Sequence, residues 1–145
     1  MEDQNVLKLG NQLCFPLYLV AKEITGLYRP FLDEIGITYS QYLVMMVLWE
    51  QDGLTVNQIG EKLYLDSGTL TPLLKRLETK KMLQRRRKKE DERVVEIFLD
   101  RAGFDLKVQA SEIPEKIKSR LDLSPEDLLE MKNTVNNILS KIIRK

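Results

Sequence analysis

The hydrophobic period of this chain changes twice, and that change constrains the fold more than any other feature. From about residue 13 to residue 81 apolar residues recur at steps of three and four; over residues 82–99 they alternate; from near Asp100 the helical steps return. Alternation on both sides of a charged tip predicts a β-hairpin. Its strands cover residues 82–87 and 94–99, with residues 88–92 as the tip. Val95, Ile97 and Leu99 face one side; Val94, Glu96 and Phe98 face the other. The expected fold is mainly α with one small β-hairpin (α+β).

The helices before the hairpin can be bounded from their punctuation. Leu17, Val20, Ala21, Ile24, Leu27, Tyr28, Phe31 and Leu32 give one long helix over residues 13–35. Pro16 fits its first turn, Pro30 predicts a kink, and Gly36 ends it. Thr38 and Gln41 form a capping-box pair for a second helix over residues 40–51, which is apolar all round and therefore central. Asp52-Gly53 is a turn. Thr55 and Gln58 open a short third helix that runs to about Tyr64.

Residues 65–78 read LDSGTLTPLLKRLE. Ser67 is the expected N-cap, and Leu70, Leu73, Leu74 and Leu77 make one buried stripe. The first turn presents short hydroxyls and free N–H groups, a surface suited to phosphates and base edges. Two short helices joined by a tight turn form a helix-turn-helix, and the hairpin that follows makes it winged. After Asp100 one helix carrying Leu106, Ala110, Ile113, Ile117 and Leu121 is expected, bent at Pro114. Ser124-Pro125-Glu126-Asp127 starts a last helix with Leu128, Met131, Val135, Ile138 and Ile142. The first and last helices carry more apolar surface than the central core needs. Residues 1–145 therefore read as one domain, with 37–100 as the winged DNA-binding lobe and 1–36 and 101–145 as dimerisation helices.

Charge supports that reading. Residues 75–93 hold ten basic and four acidic side chains, a net +6, on a chain whose total is +1; the remainder is −5. One basic zone on an acidic protein marks a face for a polyanion, although charge runs are also common as solvated surface. The candidate DNA-binding residues are Ser67, Thr69, Thr71, Lys75 and Arg76 on the helix, and Arg86, Lys88, Asp91 and Arg93 on the wing, with Arg93 placed for a minor groove. The sequence has no histidine and a single cysteine. Zinc sites and histidine-assisted nucleophilic catalysis are thereby disfavoured, an intrachain disulfide is excluded, and no metal or cofactor is expected. No apolar run reaches membrane length and the N-terminus is polar, so a cytoplasmic protein is expected.

These features resemble the MarR family of winged-helix regulators over nearly the whole chain. Asp91-Glu92-Arg93 is similar to that family's D-x-R wing element, in which the aspartate orients wing groups and the arginine reaches DNA. A narrower resemblance joins the chain to the one-cysteine organic hydroperoxide regulators (OhrR) and SarZ. It rests on Asn11-Gln12-Leu13-Cys14-Phe15, on Thr38-Tyr39 with Gln41-Tyr42-Leu43, and on Leu65 through Pro72. It implies that Cys14 is a peroxide sensor hydrogen-bonded by Tyr28 and Tyr39. Pro16 departs from the pattern, standing where OhrR has a small helix former. With no second cysteine, an intersubunit disulfide to a C-terminal resolving thiol is excluded.

Cys14 and Tyr28 lie fourteen residues apart on one predicted helix, an axial separation of about 20 Å. Contact between them requires a two-fold partner whose first helix runs antiparallel. The resulting expectation is a homodimeric, non-enzymatic transcriptional regulator, a repressor, bound to a pseudo-palindromic double-stranded operator. Organic hydroperoxide, then a low-molecular-weight thiol, would act at Cys14. Other readings remain: the same DNA contacts with a noncovalently bound small-molecule effector, a thiol peroxidase, or a nonspecific architectural DNA binder. The bland alternative for Cys14 is a small hydrophobe in an interface, and for the tyrosines core packing with a satisfied hydroxyl, which is compatible with the sensing role.

Overall fold

The computed structural model describes residues 5–143. The order is α1 (Cys14–Glu34), α2 (Tyr39–Glu50), β1 (Leu54–Thr55), α3 (Val56–Leu63), α4 (Ser67–Thr79), β2 (Leu83–Arg87), β3 (Val95–Leu99), α5 (Arg101–Ala110), α6 (Ile113–Leu121) and α7 (Pro125–Ile142), with a short 3₁₀ turn at Leu9–Asn11 ahead of α1. The chain forms two compact units, Met1–Ile113 and Pro114–Lys145.

In the first unit both predicted capping boxes are present. Thr38 Oγ1 accepts from the Gln41 N–H at 3.2 Å and Gln41 Oε1 accepts from the Thr38 N–H at 3.1 Å. Thr55 and Gln58 repeat the arrangement at 3.2 and 2.9 Å. The apolar helix α2 is central, burying Tyr42, Val44, Met45, Val47 and Leu48. Leu32, Leu54, Ile59, Leu70, Leu74, Leu77, Leu83 and Ile97 are buried as well, and α2 packs against α1, α3, α4 and α5. Pro30 is accommodated inside α1.

The wing is an antiparallel pair with Leu83 opposite Leu99, Arg85 opposite Ile97 and Arg87 opposite Val95. A third strand escaped the sequence reading. Leu54–Thr55 pairs antiparallel with β3, giving the order β1-β3-β2. Two residues are too few to show an alternation, so only the sheet reveals them. The base of the wing is further tied by Asp52, whose carboxylate accepts the Leu99 N–H at 2.8 Å.

Two expectations need correction. The N-cap of α4 is Asp66, whose Oδ1 accepts the Thr69 N–H at 2.7 Å; Ser67 is the first helical residue. Both residues are favoured caps, and the carboxylate adds charge to the positive end of the helix. The expected bent helix over residues 100–121 is two helices, α5 and α6, separated at residues 111–112. Pro114 has no N–H to continue the α5 ladder and is tolerated in the first turn of a new helix.

The second unit is built on α7, which is started by Ser124: its Oγ accepts the Asp127 N–H at 3.0 Å, with Pro125 at the first helical position. Leu129, Val135, Leu139 and Ile142 of α7 are exposed. In the first unit Leu13, Phe15, Leu17, Tyr18, Leu19 and Val20 are exposed as well. No described helix is long and apolar enough to cross a membrane.

The helix-turn-helix depends on one close approach. Tyr64 adopts a left-handed conformation at φ +55° to end α3, and a Cβ placed on Gly60 would stand 2.6 Å from the Leu65 carbonyl oxygen. Gly60→Ala should therefore force the two helices apart and cost about 1–3 kcal/mol, as overpacking does. Urea denaturation checks this; an unchanged midpoint would remove the constraint.

Candidate functional site

Asp66 fixes the start of α4. Hydrogen bonds from the Thr69 backbone N–H, and then from its hydroxyl, hold the Asp66 carboxyl below the usual range. Leu70, Leu74 and Leu77 are fully buried, which turns the intervening residues outward. Ser67, Thr69, Lys75 and Arg76 are exposed, and Thr71 is half-buried. The α4 residues proposed from sequence thus share the solvent side of one helix.

The wing tip is ordered by its own side chains. Asp91 accepts from Arg93 three times: from the backbone N–H at 3.1 Å, from Nε at 3.0 Å and from Nη2 at 3.3 Å. These bonds, the side-chain ones foremost, lower the Asp91 carboxyl from its ordinary value. They leave the Arg93 side chain 91% exposed, oriented but not buried. Arg87 donates to the Glu92 carbonyl at 2.8 Å across the tip. Arg86 lies over the Phe98 ring at 4.8 Å and donates to Gln84 at 3.0 Å. Lys88 is near Glu96 at 4.0 Å, a loose surface pair of little energetic weight.

Helix and wing meet in one groove of about 500 Å³, lined by Thr55, Asn57, Ser67, Thr71, Arg93 and Val94 among others. It brings together Ser67, Thr71 and Arg93 from the sequence-derived set. Thr55 and Asn57 are additional. Thr55 had been recognised only as a cap; Asn57 carries no sequence signal, being one polar residue in a short helix.

Cys14 is the first residue of α1, and its thiol is free and exposed. Tyr28 lies on the same helix and Tyr39 begins α2. The fold brings the two tyrosines together, rings edge-to-face with centroids 5.2 Å apart. It does not bring Cys14 to them, since most of α1 intervenes. Tyr42, expected only as core, joins the pair at 5.9 Å from Tyr28 and 6.4 Å from Tyr39. Burial raises all three hydroxyls above their ordinary value, with the neighbouring tyrosines adding to this for Tyr28 and Tyr42. They are protonated donors at neutral pH. No group of three or more metal-ligating side chains occurs among the described residues.

Comparison with known proteins gives consistent similarities. The family described as "Transcriptional regulator SarA/Rot" matches residues 26–109. The organic hydroperoxide resistance transcriptional regulator of Bacillus subtilis is 48% identical over 139 residues, covering 96% of this chain and 95% of that protein. SarZ of Staphylococcus epidermidis is 37% identical, covering 92% and 90%. Among solved structures, reduced AbfR bound to DNA superposes with a TM-score of 0.78 at 38% identity, covering 94% of this chain and 95% of that one. AbfR, a Staphylococcus epidermidis protein, also matches in an overoxidised DNA-bound form and in a disulfide form.

The Asp66 cap has a pH signature. Its carboxyl is lowered in the folded protein, so the stability it provides is present above the unfolded carboxylate range and is lost as pH falls through the lowered folded value. Asp66→Ala should be less stable than the parent at neutral pH, with the difference closing on acidification. Denaturant titrations at a series of pH values read this directly; a pH-independent difference would contradict it.

Proposed function

This chain belongs to the MarR family of winged-helix transcriptional regulators, alongside the organic hydroperoxide regulators and SarZ, and on that footing we propose that it is a homodimeric repressor released from DNA when Cys14 is oxidised. Members of this family are DNA-binding regulators and not enzymes. The observation that carries the proposal is the shared groove of Ser67, Thr71 and Arg93: hydroxyls at a helix start and an oriented guanidinium on the wing converge on one surface, as binding to duplex DNA requires.

In this reading α4 enters the major groove of each half-site, and the half-sites lie about one helical turn apart. Ser67, Thr69 and Thr71 meet base edges and phosphates; Lys75, Arg76, Arg86 and Lys88 meet phosphates; Asp91 holds Arg93 for a flanking minor groove. Residues 37–100 form the DNA-binding lobe. Helices from residues 1–36 and 101–145 form the dimer, supported by the exposed apolar residues of α1 and α7. The protein works in the cytoplasm, beside the DNA.

The sensor forms across the two-fold axis. Cys14 of one protomer meets the Tyr28–Tyr39 pair of its partner, because its own Tyr28 is about 20 Å along the same helix. The thiolate attacks the terminal oxygen of an organic hydroperoxide: an S–O bond forms, the O–O bond breaks, and the leaving alkoxide takes a proton from solvent to depart as the alcohol while Cys14 becomes a sulfenic acid. A low-molecular-weight thiol then condenses with it, forming a mixed disulfide and releasing water. The added bulk breaks the tyrosine hydrogen bonds and shifts the two DNA-binding lobes relative to each other.

A second reading has its own observation. A cavity of about 510 Å³, lined by Lys22, Thr25, Arg29, Asp33 and Tyr39 over an apolar floor of Leu32 and Ile37, is large enough for a small-molecule effector.

Two measurements test the proposal. Arg93→Ala should weaken operator binding by about 1–3 kcal/mol, with affinity falling steeply as salt rises; a complex indifferent to Arg93 would remove the wing from the interface. Cys14→Ser should bind the operator normally and stay bound after hydroperoxide, whereas the parent gains a thiol adduct on Cys14 by mass spectrometry and leaves DNA. Release of the serine variant by hydroperoxide would sink the oxidation switch and favour the noncovalent effector.

A further inference from the structure

Lys80 belongs by sequence to the basic run after the recognition helix, and the residue is exposed, but its ammonium is held by two acceptors at the corner between α1 and α2. It donates to the Gly36 carbonyl at 2.7 Å and to Gln41 Oε1 at 3.0 Å. Gly36 is the left-handed residue, φ +72°, at the corner between α1 and α2. Gln41 is 3% exposed and is the only buried polar side chain among the described residues. Its Oε1 is shared between the Thr38 N–H and Lys80, so one oxygen carries both the N-cap of α2 and the tie to α4. Tyr39, the residue next to Thr38, holds its ring against Tyr28. Lys80 itself is the C-cap of α4, its N–H bonded to the Arg76 carbonyl at 3.1 Å.

A single side chain therefore links the C-terminal end of the recognition helix to the turn that carries Tyr39. A hydrogen bond made by a charged donor to a buried acceptor is strong and directional, and a buried oxygen that loses one of its donors is costly. A shift of the Tyr39 turn must either drag the end of α4 or break this tie. We propose that Lys80 is a positioning residue and not a DNA contact: it couples the tyrosine pair to the recognition helix, so that disturbance at the tyrosines reorients α4. This rests on the oxidation reading above and adds the residue that transmits it.

The test uses the full chain, with Lys80→Met to remove the donors, Lys80→Arg to restore them, and Lys75→Met as a comparison on the exposed face of α4. In the reduced state the slope of log affinity against log salt should be the same for Lys80→Met as for the parent, whereas Lys75→Met should lose about one phosphate contact from it. After cumene hydroperoxide and a small thiol, Lys80→Met should acquire the Cys14 adduct at the parent's rate, yet its loss of operator affinity should be at least roughly tenfold smaller than the parent's. Lys80→Arg should recover release. A salt slope reduced by one for Lys80→Met, or release equal to the parent's at equal oxidation, overturns the assignment. If the parent itself is oxidised at Cys14 and stays on DNA, the oxidation reading fails, and the coupling assigned to Lys80 fails with it. Parental release with undiminished release by Lys80→Met rejects only Lys80.

Discussion

The burial of Leu70, Leu74 and Leu77 is the interaction on which the rest of this protein depends. All three are fully excluded from solvent, and burying such side chains is worth about 1.5–3 kcal/mol each. Their more important effect is geometric. Steps of four and three residues place them on one stripe, so rotation of α4 about its axis is fixed, and with it the direction of Ser67, Thr69, Lys75 and Arg76. α4 packs on α2 and α3 and against β2. The polar face is therefore specified by apolar residues that never touch a ligand.

The wing poses a different problem, since a two-stranded hairpin is marginal alone. Here β3 gains a second neighbour, β1, and Asp52 accepts the Leu99 N–H. On the other strand Arg85 pairs with Glu78 of α4 at 2.7 Å and Gln84 donates to Asp100 at 2.8 Å. The Arg85–Glu78 bridge is partly solvated, so its contribution lies in register more than in stability. It sets the wing against the same helix whose polar face it must complement. At the far end the Asp91–Arg93 bonds spend only short-range contacts, and the guanidinium stays free to reach outward.

Most of this architecture was legible because the signals are local. A Thr with Gln three residues later twice gave a helix start to within a residue, and the switch from helical to alternating period gave the hairpin. The failures are equally physical. Asp66 and Ser67 are adjacent and both suited to capping, so composition could not choose between them. Proline near the start of a helix and proline within a bend look alike in sequence, and at Pro114 the chain starts a new helix. β1 and the groove contributions of Asn57 exist only through tertiary pairing. The tyrosine cluster was half legible: Tyr28 and Tyr39 stood out by resemblance, while Tyr42 was hidden in a helix apolar on every side.

Charge counting located a basic zone without sorting its cations. The ten cations of residues 75–93 looked like one polyanion-binding strip. Yet Arg85 is bound to Glu78, Arg87 to the Glu92 carbonyl, and Lys80 to Gly36 and Gln41. These three organise the protein's own backbone and wing. Lys75 and Arg76 remain on the exposed face of α4, and Arg93 is oriented outward by its aspartate. A basic segment of this kind does two jobs with one residue type. Long cationic side chains can cross several ångströms to tie elements together, and those not so used keep their charge at the surface. Only the coordinates separate the two groups, because the sequence gives a lysine the same charge whichever way it turns.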